Sequence, residues 1–350
     1  MHSTIATVGC DPEFFFEDKD GRIVPAFSVL KSQTETPADH PYFDGWQGEF
    51  GTDPTHCIAY MVDDIHDRLQ KAAHAIGKQG RISVYSVLDV DLVRLIEHPE
   101  HAQFGCTPSL SAYDSQPEMA HDGFSVPFRM AGGHIHLGIR SRHLHLFGPD
   151  DEDNRRTVVK FLDRTAGLIG TALFAEVEDA RRRLLYGRAG EYRAPKYGIE
   201  YRVPSNAWML HPVLAHFYVG VVRRAATCAV SDIAHGRNPL DRLPMNDEEV
   251  QIAINESEVG IARTLIQSYM PFFEQLIAYS ACHFPEAAAM FNGAIMNTGV
   301  RAILPDNYSL SAAWRIEGDT WISHSASVNA CVAYSRAAIK NTGKLGIGDT

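Results

Sequence analysis

The sequence predicts an α+β fold: a curved, mainly antiparallel sheet with one helix-covered face and one open polar face, followed by a helical C-terminal part. Three observations predict it. Short strand-like runs punctuated by turn residues fill the first half. Four runs carry functional side chains two residues apart, and after Asp151 the apolar spacing changes to the three-and-four rhythm of helices. With no internal repeat, low-complexity tract or long Pro/Gly/Ser linker, residues 1–350 read as one elaborated domain. Its motif-bearing sheet region is 1–208, and a mainly helical region, 209–350, packs on it.

In chain order, Thr4 to Val8, Glu13 to Glu17 and Arg22 to Ala26 read as strands, with Asp-Pro and the turn pair Asp20-Gly21 suggesting a hairpin. A helix is expected to open at Asp53-Pro54, with Asp as cap and Pro in the first turn. Ile58, Met61, Val62, Ile65, Leu69, Ala72 and Ile76 form the stripe that covers one sheet face. Arg81 to Asp91, Gly132 to Ile139 and Gly198 to Val203 read as further strands. Between the last two, apolar residues from Val158 to Phe174 mark a long helix. Met209 to about His235 is apolar on most sides, as a buried helix is, and Asn246 to His283 reads as two amphipathic helices.

With 45% hydrophobic and 21% charged residues the chain can bury a large core. No stretch approaches the roughly 20 uninterrupted apolar residues of a membrane span, and the start MHSTIATVGC has neither a basic segment nor an apolar signal run. A cytoplasmic protein without a membrane partner is expected. Cys10, Cys57, Cys106, Cys228, Cys282 and Cys331 show no paired spacing, which suits reduced structural thiols. A net charge of −11 argues against a general nucleic-acid-binding surface.

The informative feature is the polar pairs: Asp11 and Glu13, Gln47 and Glu49, His134 and His136, Glu200 and Arg202. Residues two apart in a strand project to the same face, so each pair points one way while Ile135, Leu137, Ile199, Tyr201 and Val203 point to the helix-covered side. One such pair is compatible with an ordinary solvated strand. Four together assemble four carboxylates, two imidazoles, an amide and a guanidinium beside glycines that permit close approach of a ligand. Carboxylate oxygens with neutral imidazole suit Mg²⁺ or Mn²⁺, and an arginine beside Glu200 suits a phosphate clamp. A cross-strand ion pair between Arg202 and Glu13 or Glu49 is the structural alternative. The segment RRRLLYGRAGEYRAPKYG, with Arg181, Arg182, Arg183, Arg188, Arg193 and Lys196, reads as a loop that grips an anion over the same face, or as a basic helix end followed by a solvated loop.

The segments GCDPEFFF, FDGWQGEF, FGCTPSLSAYD, FRMAGGHIHLG, YGRAGEYR and YGIEYRVPSNAW together resemble the phage-type carboxylate-amine ligases, or amidoligases, over roughly residues 9 to 208. These share the fold of glutamine synthetase and γ-glutamylcysteine synthetase. The resemblance implies metal binding by Asp11, Glu13, Glu49 with Asp44, His134 and Glu200, and a nucleotide-phosphate contact for His136. It implies that Arg202 stabilises the transferring phosphoryl group, with Glu200 and Arg193 as further catalytic residues, and that Arg193 and Lys196 contact phosphate or substrate. Asp11 in place of Glu, and Gln47 on the second acidic strand, depart from the family pattern.

The implied reaction uses ATP with two or more Mg²⁺ or Mn²⁺ ions to join a small-molecule or peptide carboxylate to an amine through an acyl phosphate, in the host cytoplasm if the chain is phage-encoded. Fixed cations around two meeting anions are its physical requirement. Two rivals come from other classes. A zinc hydrolase built on the His-x-His strand needs further ligands, for which His121, His145, His211 and His216 are present without a paired motif. A non-catalytic protein that keeps the fold and merely binds nucleotide or metal is the other. Trp46, Tyr192, Tyr197 and Trp208 are candidates for a substrate pocket lining.

Overall fold

The computed structural model describes residues 4–90, 92–101, 109–114, 126–148, 151–281, 285–304 and 308–316. Cys106, Cys282, Cys331, His121, His283 and the first part of FGCTPSLSAYD lie outside the described residues. The strands are β1 (Ile5–Asp18), β2 (Ile23–Val24), β3 (Tyr42–Asp44), β4 (Gln47–Glu49), β5 (Gly80–Ser83), β6 (Val87–Asp89), β7 (Leu110–Ser111), β8 (Phe128–Met130), β9 (Gly133–Ile139), β10 (Glu191–Arg193) and β11 (Gly198–Tyr201). The helices are α1 (Ile58–Ile76), α2 (Leu92–Glu97), α3 (Ser141–Leu144), α4 (Glu152–Leu162), α5 (Leu168–Phe174), α6 (Pro212–Ala234), α7 (Asp247–Asn255), α8 (Val259–Ser268), α9 (Met270–Ser280), α10 (Pro285–Gly293) and α11 (Leu310–Trp314).

The first two expected strands are one. Glu13 donates its N–H to Gly132, so the neighbouring Pro12 points its ring nitrogen away from β9 and no bond to that strand is lost. The hairpin to β2 forms as expected. Asp18 accepts the N–H groups of Asp20 and Arg22, and Gly21 takes a φ of 76° that favours glycine. Strand order is β3-β4-β1-β9-β11-β10-β7, antiparallel throughout, with β2 and β5 pairing farther along β1.

Three element boundaries differ from expectation. Helix α1 starts at Ile58 rather than at Asp53-Pro54, because Thr55 exchanges main-chain bonds with Val8 and Asp53 donates its N–H to Asp64. The run Arg81 to Asp91 splits: β5 joins β1, whereas β6 pairs with β8 in a separate two-stranded sheet. Asn246 to Ser280 holds three helices instead of two, interrupted at Ser257, with φ 54°, and before Pro271.

One face of the large sheet is dry. Val8, Cys10, Phe14, Ile135, Leu137, Ile199 and Tyr201 form a continuous core with Met61, Ile65 and Leu69 of α1, Val159 of α4, and Phe217 and Val221 of α6. Each such aliphatic or aromatic side chain contributes roughly 1.5–3 kcal/mol when fully buried. The Val158 to Phe174 pattern is a single rod in which α4 passes into α5 through a π-helical turn, Asp163–Gly167. Among the described residues one helix, α6, is long and apolar enough to cross a membrane, and 72% of its apolar window is buried inside the molecule.

Candidate functional site

Antiparallel pairing places directly opposed residues on the same face. The register aligns Tyr42 with Glu49, Glu49 with Glu13, Asp11 with His134, His136 with Glu200, and Glu200 with Arg193. The predicted polar residues therefore form one band across β3, β4, β1, β9, β11 and β10, on the face opposite the helices.

Asp11 is the hub of the contacts. Its Oδ1 is 3.2 Å from His134 Nδ1 and its Oδ2 is 3.0 Å from His136 Nε2. His134 Nδ1 also lies 3.8 Å from Glu200 Oε1, the atom that Arg202 Nε approaches to 3.3 Å and Arg193 Nη1 to 3.4 Å. His136 is held from its other side by Tyr197, whose hydroxyl is 2.5 Å from Nδ1. Glu13 accepts the Gly132 N–H at 2.5 Å. Glu13, His134, Glu200 and Arg202 are all at most 5% exposed, so their charges act in a poorly screened environment.

That environment moves the titrations. Burial, with the charges of Asp44 and Asp11 and against the Gly132 N–H and Arg202, pushes Glu13 up to about 7. Burial and then Asp11, Glu13 and Asp44 push Glu49 well above the carboxylate range, and burial also raises Asp44. Burial opposes ionisation of Asp11, but the charges and hydrogen bonds of His134 and His136 outweigh it and hold the carboxyl low. His134 is lowered by burial, so it is neutral at pH 7 with lone-pair capacity. His136, half-buried, is lowered by desolvation but raised more by the charge and hydrogen bond of Asp11.

The donor set fits a hard divalent cation. One oxygen or nitrogen each from Asp11, His136 and Glu200 lies within 4.8 Å of the others. Four mutually repelling carboxylates stand on the same side, and His134 Nε2 is buried with no hydrogen-bond partner among the described residues. His136 therefore stands with the candidate metal donors, while His134 lies deeper, against Asp11 and Glu200.

The basic segment does not fold as one anion-gripping loop. Arg181 pairs with Asp89 and Asp179, and Arg182 is fully buried, donating to the carbonyls of Val203 and Pro204. Arg183 binds Glu178 and the Gly187 carbonyl. Arg181 is thus occupied by two carboxylates, and Arg182 and Arg183 are structural, since they satisfy main-chain carbonyls next to β11 and the buried Glu178. Of the expected basic residues Arg193 and Arg202 reach the band. Lys196 is exposed in the turn before Tyr197, and Gln47 is buried at the β3–β4 hairpin opposite Asp44. Trp46 and Trp208 are core residues, and the Trp208 Nε1 donates to Gly133.

Sequence reasoning missed Tyr42, Tyr186, Ser109 and Glu191. The two-residue rule pairs Tyr42 with Asp44 and Glu191 with Arg193, so that signal was present. Tyr186 had none: its ring meets His134 edge-on at 5.3 Å and lies 4.9 and 5.1 Å from the Arg182 and Arg202 guanidiniums through tertiary packing alone.

An antiparallel sheet with carboxylates, imidazoles and guanidiniums on one open face can hold cations and anionic groups side by side. Residues 118–284 match the family described as phage phiEco32-like COOH.NH2 ligase-type 2, which supports the chain's place among the amidoligases. The matched segment contains both histidines, Arg193, Glu200 and Arg202. No curated protein matches the chain.

Proposed function

We propose that the chain forms an amide bond at the expense of ATP, with Mg²⁺ or Mn²⁺, through an acyl phosphate of its carboxylate substrate, on a glutamine synthetase-like form of this sheet. The observation that carries the reading is the convergence on Glu200 of His134 and two guanidiniums, beside an Asp11–His136–Glu200 donor set. In this reading Asp11, Glu200 and the two histidines, with Glu13, Glu49 and Asp44, hold the cations. Bound there, divalent ions would neutralise the triphosphate and polarise its terminal phosphorus.

Arg202 and Arg193 place fixed positive charge where the equatorial oxygens of the moving phosphoryl group gain charge. The substrate carboxylate attacks the γ-phosphorus and ADP leaves. The amine then attacks the acyl carbon, phosphate leaves with its electron pair, and the amine sheds a proton. His136 faces the phosphate side, with Tyr197 holding its ring. Lys196, exposed in the turn beside Tyr197, would contact phosphate or substrate from outside the band.

The test is ATP cleavage with Mg²⁺ in the presence of carboxylate pools and hydroxylamine as acceptor. Hydroxamate formed from one pool, and lost in Glu200→Gln, is the expected result. Zinc retained through purification with no nucleotide cleavage would overturn the reading in favour of a hydrolase.

A further inference from the structure

We infer that Ser109 and Glu191 are positioning residues for Arg202, a carboxylate–hydroxyl–guanidinium relay that aims its side chain at the reacting phosphoryl group. The inference rests on the role proposed above for Arg202.

Arg202 lies one residue beyond the end of β11, still tied to β10 by its main chain, so what remains to be fixed is its long side chain. Its main-chain N–H bonds the Glu191 carbonyl at 3.1 Å, and its Nη1 donates to Ser109 Oγ at 3.0 Å. Ser109 Oγ is in turn 3.2 Å from Glu191 Oε2. A serine hydroxyl has one proton, and an ionised carboxylate can only accept it. The proton therefore points to Glu191, and a lone pair is turned toward Nη1. The carboxylate fixes the polarity of a group that otherwise rotates freely.

Glu191 cannot swing to follow Arg202. It is 1% exposed, and its two oxygens also accept the N–H groups of Gly187 at 3.0 Å and Arg188 at 2.9 Å. Glu191 sits on β10, which pairs with β11 through Tyr192–Tyr201 and with β7 through Glu191–Ser111, and Arg202 and Ser109 each lie one residue outside those partner strands. With Nε against Glu200 and the Tyr186 ring 5.1 Å from the guanidinium, Nη1–Ser109 adds an in-plane contact on another edge of the fork. Tenths of an ångström in such a group decide how well it matches a transition state.

A purely structural reading assigns the same network to holding the turn at residues 187–190. Ser109→Ala separates the two, because it leaves both turn N–H bonds to Glu191 and the main-chain bond of Arg202 intact and removes only the hydroxyl that joins the Glu191 carboxylate to the Arg202 guanidinium. On the full chain with Mg²⁺-ATP and hydroxylamine, we expect Ser109→Ala to lower kcat about tenfold, or about 1.4 kcal/mol. The KM for ATP should stay within about twofold and the melting temperature within about 2 °C, with Ser109→Thr close to wild type. Unchanged kcat in Ser109→Ala, or equal loss in Ser109→Thr, overturns the inference while leaving the ligase reading intact. If wild type makes no hydroxamate, the ligase reading fails. Arginine-labelled ¹⁵N spectra, with Arg202 assigned by its loss in Arg202→Lys, then decide the relay. Faster exchange of its guanidinium protons in Ser109→Ala supports it, and equal exchange overturns it.

Discussion

Glu13→Gln separates the electrostatic design of the site from its packing. The Glu13 carboxyl is 2% exposed and is pushed up to about 7 from an ordinary 4.5. Keeping it ionised in the fold therefore costs about 3 kcal/mol at pH 8. The folded value lies above the unfolded one, so its stabilising contribution is complete below about pH 4.5 and is lost as pH rises through 7. Glutamine keeps an oxygen for the Gly132 N–H and never ionises. In thermal melts with chelator, the variant should gain on wild type by several degrees between pH 5 and pH 8. Glu49, raised by the same neighbours, retains part of the dependence. Mn²⁺ should then raise the wild-type midpoint more than that of the variant, since a cation bound to the fold alone offsets the repulsion. A variant that melts below wild type at pH 8 without metal, or a gap independent of pH, refutes the argument.

Three further outcomes are expected. Arg182→Met should lower stability by roughly 3–5 kcal/mol in denaturant titration, because three carbonyls and the buried Glu178 lose a charged donor. Gly132→Ala puts a methyl 2.6 Å from the Tyr186 hydroxyl and 2.9 Å from His134 Nε2, so Mn²⁺ affinity measured by electron spin resonance should fall while the fold, by circular dichroism, persists. Tyr197→Phe removes the hydroxyl that orients His136 from the rim and should weaken Mn²⁺ binding about 10- to 100-fold, with no change in melting temperature because the side chain is 46% exposed.

The band of functional residues was legible because its rule is local. A strand with Asp11 and Glu13 puts both on one face whatever it pairs with, and the same holds for His134 and His136. What the sequence did not carry is which strands become neighbours. His136 opposes Glu200 while Asp11 opposes His134, and that register brings His136 into the donor set. Arg181, Arg182 and Arg183 misled for a related reason: charge density in a sequence does not distinguish a guanidinium facing a ligand from one satisfying the carbonyls of Val203 and Pro204. The helix boundary at Ile58 shifted because a tertiary bridge, Val8 to Thr55, took the residues that local capping chemistry favoured.

Strand order, as opposed to sequence order, gives the face its polarity. Reading across from β4 through β1, β9 and β11 to β10, the chain contributes Glu49, then Glu13 and Asp11, then His134 and His136, then Glu200, then Arg193. Acids gather at one side, guanidiniums at the other, and imidazoles lie between them. An anion alone would be drawn to the arginine side and repelled from the rest, whereas an anion carrying divalent cations is complementary to the whole band. In the proposed reaction this favours ATP bound with its metals over free ATP, and it places the end of the triphosphate beside Glu200, where Arg193 and Arg202 meet.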